Sequence, residues 1–257
     1  ALSASDRALD AGQRDALEMF FSKQEARIHT ALESEVYGNR SIARSLIDQE
    51  LAGHFDIDAT DGEMPGLLEH FSDETGDVTD GGYMALMAAQ ALTKGISRCV
   101  TIKVADGLDS HQGSSWQVDH GPAQREGFDA ISNLATYLSQ TPFFGDVSDN
   151  WLNHTTIVCF SEFGRGAELN SNGGRDHSLI NAMLMLGGDI KGGQIIGATS
   201  DVGMQAQAVD LSTAALSDAG ELVGNNHIAR TLLHSIGVEE DVGDFRVPPL
   251  LALLEGG

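Results

Sequence analysis

Two apolar, β-branched runs in this chain each lead straight into a long polar loop. The run "RCVTIKVA" (98–105) opens into "DGLDSHQGSSWQVDHG", and "TTIVCF" (155–160) opens into "SEFGRGAELNSNGGRDH". A segment built of carboxylates, guanidiniums, amides and imidazoles has almost nothing to bury, so packing does not explain its place after a core strand. Strand, polar loop, helix, strand, polar loop, strand, helix is the order of an α/β protein. In such sheets the functional loops lie outside the carboxyl ends of the strands. Both polar loops are therefore expected at one sheet edge.

The remaining pattern fits around these two runs. Residues 4–35 read as a long amphipathic helix, with Leu17, Phe20, Phe21, Ile28 and Leu32 at helical spacing. "NRSIARSLIDQELAGH" continues as a second helix, and "FDIDATDGEMPG" breaks the pattern. "DETGDVTDGGY" reads as a loop, and "MALMAAQALTKG" as a buried helix ending at Gly95. Beyond Gly95, the 98–105 run predicts a strand. Pro122 opens a helix carrying Phe128, Ile131, Leu134, Ala135 and Leu138 on one face. "AMLMLGG" (182–188) predicts a third strand, "GGDIKGG" a tight turn and "GQIIGAT" a short strand. "NNHIARTLLHSIGV" (225–238) predicts a helix capped by Asn and stopped by Gly237. The change of texture at Gly95 divides the chain into a helical segment, 1–95, and an α/β core, 96–257.

With 257 residues, 41% of them hydrophobic, the chain can build a sizeable core as one domain or as a domain with an appendage. A formal charge of −23 disfavours a basic patch for nucleic acid or anionic lipid. No apolar run approaches the roughly 20 residues that span a bilayer. Cys99 and Cys159 each sit in an apolar run, as two buried free thiols or one disulfide between neighbouring strands. The chain begins at Ala1 without a Met, as a processed or truncated protein would. A phosphate-cradling loop, a dinucleotide fingerprint and a nucleophile elbow are all missing from the sequence.

The chemistry is concentrated in the two loops. The first holds Asp109 and His111, then Asp119 and His120; the second holds Glu162, Arg165, Asn170, Asn172, Arg175, Asp176 and His177. Carboxylate oxygen and imidazole nitrogen are ligands for zinc and similar divalent ions. Asp109 and His111, two apart on an extended segment, can point to one side, and Glu162 and His177 could complete a four-ligand cluster. Asp119 and His120 are equally well explained as the cap of the helix that follows. Arg165 and Arg175 could bind a tetrahedral oxyanion or pair with Glu162 and Asp176 to stiffen the loop. The other histidines say less. His29, His54 and His70 are expected on helix surfaces, His154 precedes a strand, and His227 and His234 share one face of the last helix, at a surface or an interface.

"TTIVCFSEFGR…NGGRDH", "MLMLGGDIKGGQIIGAT" and "ARTLLHSIGV" together resemble the domain of unknown function 1501 family over roughly residues 98–240. "GLDSHQG" is similar to that family's Asp-Thr-His segment, with Ser110 in place of the Thr. The family in turn resembles the alkaline phosphatase and sulfatase superfamily. The resemblance implies an α/β/α sandwich core preceded by a helical segment, and a bacterial protein exported to the periplasm or beyond the cell. It implies a metal-dependent hydrolase of phosphate or sulfate esters, with a small anionic ester as substrate. Asp109, His111, Glu162 and His177 would be ligands of a divalent metal such as zinc, calcium or magnesium. Arg165, Asn172 and Arg175 would bind the anion or rigidify the loop, with Asp119, His120 and Asp176 as further candidates. Phe163 stands where the superfamily has a ligand His. The superfamily's opening strand and its Ser, Thr or formylglycine nucleophile have no counterpart before residue 98. The chain is then expected to be a C-terminal portion, completed by a missing N-terminal portion or by a homo-oligomer. The alternative expectation is a non-catalytic exported assembly protein that keeps the scaffold.

Overall fold

The structure, a computed structural model, describes Met19, Lys23 and residues 51–256 apart from Ser114. It divides into two units, Ala1–Asp58 and Ala59–Gly257. In the first unit Met19 and Lys23 are helical and Leu51–Phe55 form a 3-10 turn. The rest of the expected helices over 4–35 and 39–54 lies outside the described residues.

The second unit is built on three helices: α1 (Met64–Phe71), α2 (Asp80–Thr93) and α3 (His120–Gln140). Each buries one stripe. Met64, Leu67 and Phe71 face inward from α1, Ala85, Leu86, Ala88, Ala89 and Leu92 from α2, and Ala130, Ile131, Leu134 and Leu138 from α3. Thr79 starts α2 by accepting a hydrogen bond from the Gly82 amide at 3.1 Å. These stripes, apart from Leu92 and Ile131, join Trp151 in one core. Helices α1 and α2 lie before Gly95 and α3 after it, so the change of texture there runs through the core rather than between units.

The 98–105 run behaves differently from its prediction. It is assigned to no strand. Its alternate residues Val100, Ile102 and Val104 pack against the core formed by the helices. Period-two alternation states which side chains go inward, not which strand they pair with. The contact with α2 is close. A Cβ at Gly81 would lie 2.3 Å from the Val104 carbonyl oxygen, so only glycine lets the helix start there.

The described strands form three antiparallel pairs. β1 (Pro142–Phe143) pairs with β2 (Asp146–Asn150), and β3 (Thr156–Cys159) pairs with β6 (Leu184–Gly187), Ile157 opposite Leu186. β4 (Gly164–Arg165) pairs with β5 (His177–Ser178), which sets Arg165 opposite His177. "TTIVCF" and "AMLMLGG" therefore do hold strands, but "GQIIGAT" does not: Ile195 is 95% exposed and Thr199 makes a single bridge to Ala206.

The last helix, α4 (Asn225–Ser235), starts from Gly224 rather than from an Asn cap. His227 supplies the missing cap: its Nδ1 accepts from the Gly224 amide at 3.1 Å, and its Nε2 lies 3.1 Å from Glu221. That role buries His227, where an exposed or interfacial residue was expected. The α4 face that turns inward is polar, with Arg230 donating to the Val238 and Glu239 carbonyls and Thr231 accepting from the Leu250 amide. Two further expectations change. Phe128 is half exposed, although Ile131 and Leu134 beside it are buried. Cys99 is exposed and Cys159 half-buried; both thiols are free, and burial pushes that of Cys159 above its ordinary range.

Candidate functional site

The two polar loops meet. The Gly113 amide donates to the Asn172 carbonyl at 2.9 Å, the Arg175 amide donates to the Ser110 carbonyl at 2.8 Å, and Gln112 bridges Gly173. A Cβ on Gly174 would lie 2.1 Å from the His111 carbonyl carbon, so the approach requires the glycine. Asn170 locks the join. Its amide nitrogen donates to the His111 carbonyl at 2.9 Å and to Asp176 at 2.7 Å. Its carbonyl oxygen accepts from the Asn172 and Gly174 amides, both at 3.0 Å.

On this frame Asp109 and His111 face each other, His111 Nδ1 against Asp109 Oδ1. The imidazole beside it, with the Arg165 guanidinium adding, holds the Asp109 carboxyl below the usual carboxylate range. Arg165 leans onto the same pair. Its Nη1 lies 3.1 Å from Nδ1 and 3.2 Å from Nε2 of His111, and its Nη2 donates to Asp109 at 3.1 Å. The tautomer with the proton on Nδ1 donates to Asp109 and leaves Nε2 as the acceptor of the ring. Arg165 also donates to the Arg175 carbonyl at 3.1 Å. Its side chain is 13% exposed, against 77% for Asp109, so it is the anchored member of the pair.

His177 joins from β5. Its ring centroid is 4.6 Å from that of His111, and it stacks on Phe163 at 3.7 Å. Glu162 does not join: it is exposed, and no hydrogen bond or ion pair links it to Asp109, His111 or His177. Phe163 rather than Glu162 lies against His177, and Glu162 is left exposed in the bend before β4. Among the described residues no three His, Cys, Asp or Glu side chains are placed to hold one metal ion. As they stand, the four expected ligands do not fit a metal centre, and a guanidinium lies against two of them.

The remaining candidates divide clearly. Asp109, His111, Gln112, Asn170, Asn172 and Asp176 line an open cavity of about 590 Å³. Arg175 stiffens the loop, donating to the Gly166 carbonyl at 2.8 Å and to the Ala167 carbonyl, with its guanidinium 4.3 Å above the Trp116 ring. Asp119 precedes α3 but makes no side-chain cap bond, and His120 keeps a buried Nδ1 without a partner. Neither shares a hydrogen bond with the loop cluster. Sequence reasoning assigned no role to Asn170, Trp116 or Gly174, which hold the loops together. The turn-forming "NSNGG" composition is a signal that could have found Asn170 and Gly174; Trp116 carries none.

A family model described as "Protein of unknown function (DUF1501)" matches residues 8–235. No curated protein and no solved structure matches the chain. Among the described residues no helix is long and apolar enough to cross a membrane.

Proposed function

This chain belongs to the DUF1501 family, and from that premise we propose that its loop cluster is the reaction site of a hydrolase of phosphate or sulfate esters. Kinship with the alkaline phosphatase and sulfatase superfamily and an exported location go with this reading. The observation that carries it is the Asp109–His111 pair, open to a cavity and backed by Arg165. Asp109 orients the imidazole by accepting from Nδ1, which leaves Nε2 to take a proton. Arg165 Nη groups and the Asn172 side-chain amide are donors for the oxygens of an anionic ester. None of the described cavity-lining residues carries a hydroxyl or thiol. On this reading the nucleophile is a water beside His111. As its oxygen bonds to phosphorus or sulfur, one of its protons passes to His111 Nε2 and the bond to the ester oxygen breaks; that oxygen keeps the bonding pair and takes a proton back from His111 or from solvent water. With no three ligands convergent, no step is assigned to a metal.

The test is turnover of a panel of phosphate and sulfate monoesters by the 257-residue chain. His111→Gln is expected to lower kcat by about 100-fold or more. Turnover of no ester, or turnover that His111→Gln leaves unchanged, would overturn the reading.

A second reading is favoured by how fully the loops satisfy themselves, with the side chains of Asn170, Arg175 and Asp176 all engaged within the cluster. On it the chain is a non-catalytic exported assembly module. Ordered homo-oligomers in light scattering, together with no ester turnover, would support it.

A further inference from the structure

We infer that residues 98–106 are an edge strand through which two copies of this chain pair antiparallel, about a two-fold axis at Ile102. The surface lies outside the loop cluster, and the inference holds whether or not that cluster turns over an ester. From Val100 to Ala105 no backbone amide or carbonyl has a hydrogen-bond partner among the described residues. Such a row of unpaired backbone is a template to which another strand adds. Burial alternates along the run: Val100, Ile102 and Val104 are half-buried against the helical core, and Thr101 and Lys103 are exposed. One face is therefore covered, and an edge is left. The Val104 carbonyl lies against the start of α2, where a Cβ at Gly81 would sit 2.3 Å from it. Successive backbone groups of a strand point to opposite edges, so those of Thr101 and Lys103 are assigned to the open one.

The run carries the complement of its own ends. Arg98 and Asp106 are both exposed. When Ile102 meets Ile102 of a second copy, Val100 lies opposite Val104, Thr101 opposite Lys103, and Arg98 opposite Asp106. This register sets apolar residues together and opposite charges at both ends. A register two residues away sets Arg98 opposite Val104 instead. Asp106 is held only by Lys103, in an ion pair exposed on both sides, and such pairs are weak. Arg98, Lys103 and Asp106 also leave the run one net positive charge in a chain of −23. Two chains this acidic can approach there without like-charge repulsion at the contact.

Sedimentation equilibrium of the 257-residue chain in about 0.15 M salt, which screens long-range repulsion, tests this. A monomer–dimer equilibrium is expected. Arg98→Asp sets like charges opposite each other at both ends and should raise the dimer Kd by about tenfold or more. Adding Asp106→Arg to Arg98→Asp puts opposite charges back and should restore the dimer. Both side chains are exposed, so the fold should tolerate either change. A chain that stays monomeric overturns the inference, as does a dimer that Arg98→Asp leaves unchanged or that the double exchange fails to restore. Hydrogen exchange needs no substitution. The Thr101 and Lys103 amides should slow as protein concentration rises; protection independent of concentration would show them paired within one chain and overturn the inference too. Ester turnover by the same preparation keeps the ideas apart. A dimer with turnover sinks the non-catalytic reading alone. A monomer with turnover sinks the inference and leaves the hydrolase reading standing.

Discussion

The helical core and the loop cluster solve the same problem by opposite means. Each brings together segments far apart in sequence: α1 and α2 onto α3 in one case, residues 109–113 onto 164–177 in the other. The core does it with apolar stripes, including Leu86 and Leu138 at 0% exposure. Such contacts are non-directional and scale with buried area. The cluster does it with side-chain amides, guanidiniums and one glycine, in bonds that each work at a single geometry. Stability is therefore expected to reside in the helices and positional accuracy in the loops.

The largest effect should come from breaking the core. Leu86→Ala removes a fully buried side chain in a tightly packed helix pair and should cost about 3 kcal/mol of unfolding free energy in urea titration. The transition is expected to shift for the whole second unit. A smaller loss, under about 1 kcal/mol, would mean that the helices do not dominate the stability.

Gly174→Ala attacks the other side of the comparison. Its new Cβ would lie 2.1 Å from the His111 carbonyl carbon, with both groups in backbone that cannot swing away. The expected cost is about 2 kcal/mol, confined to the loops. Hydrogen exchange should read it as roughly 30-fold faster exchange at the Gly113 and Arg175 amides, which cross between the loops. The α2 and α3 amides should keep their protection. Equal loosening of helices and loops would show that the two regions unfold as one.

The same contrast explains what the amino-acid pattern made legible. The α3 face was readable because Ile131, Leu134 and Leu138 recur at the helical period, and all three are buried. Phe128 was assigned to that face by its spacing from Ile131, yet it lies at the rim, half exposed. In 98–105 the alternation placed Val100, Ile102 and Val104 against the core but carried no information about a ladder partner. At the site, loop order was enough to suggest that Asp109 and His111 meet His177. It was not enough for Glu162, because the β4–β5 pairing sets Arg165 opposite His177 and Phe163, not Glu162, stacks on His177. Nor could it reveal Asn170, which shapes its own loop with three local hydrogen bonds and makes a fourth, to the His111 carbonyl, that exists only once the loops are joined. The burial of His227 has the same origin: a capping bond to Gly224 that hydropathy does not register.

The smallest expected effect is the sharpest on chemistry. Ser110 lies between Asp109 and His111, and the alternation that sends those two toward the cavity sends Ser110 inward. It is 1% exposed, and its Oγ is buried with no hydrogen-bond partner. A hydroxyl desolvated without compensation weakens a fold. Ser110→Ala should therefore be neutral or raise unfolding stability by up to about 1 kcal/mol. It should leave ester turnover unchanged, because an oxygen that is closed off from the cavity cannot reach a substrate. The hydroxyl would have to be reassigned if the variant lost stability by more than about 1 kcal/mol, since that would reveal a partner for Oγ. Loss of turnover with stability intact would instead mean that the loop opens to expose Ser110 as a nucleophile. In that event the loops would be the mobile half of the molecule, and the division between a stabilising core and an accurately placed cluster would have to be drawn elsewhere.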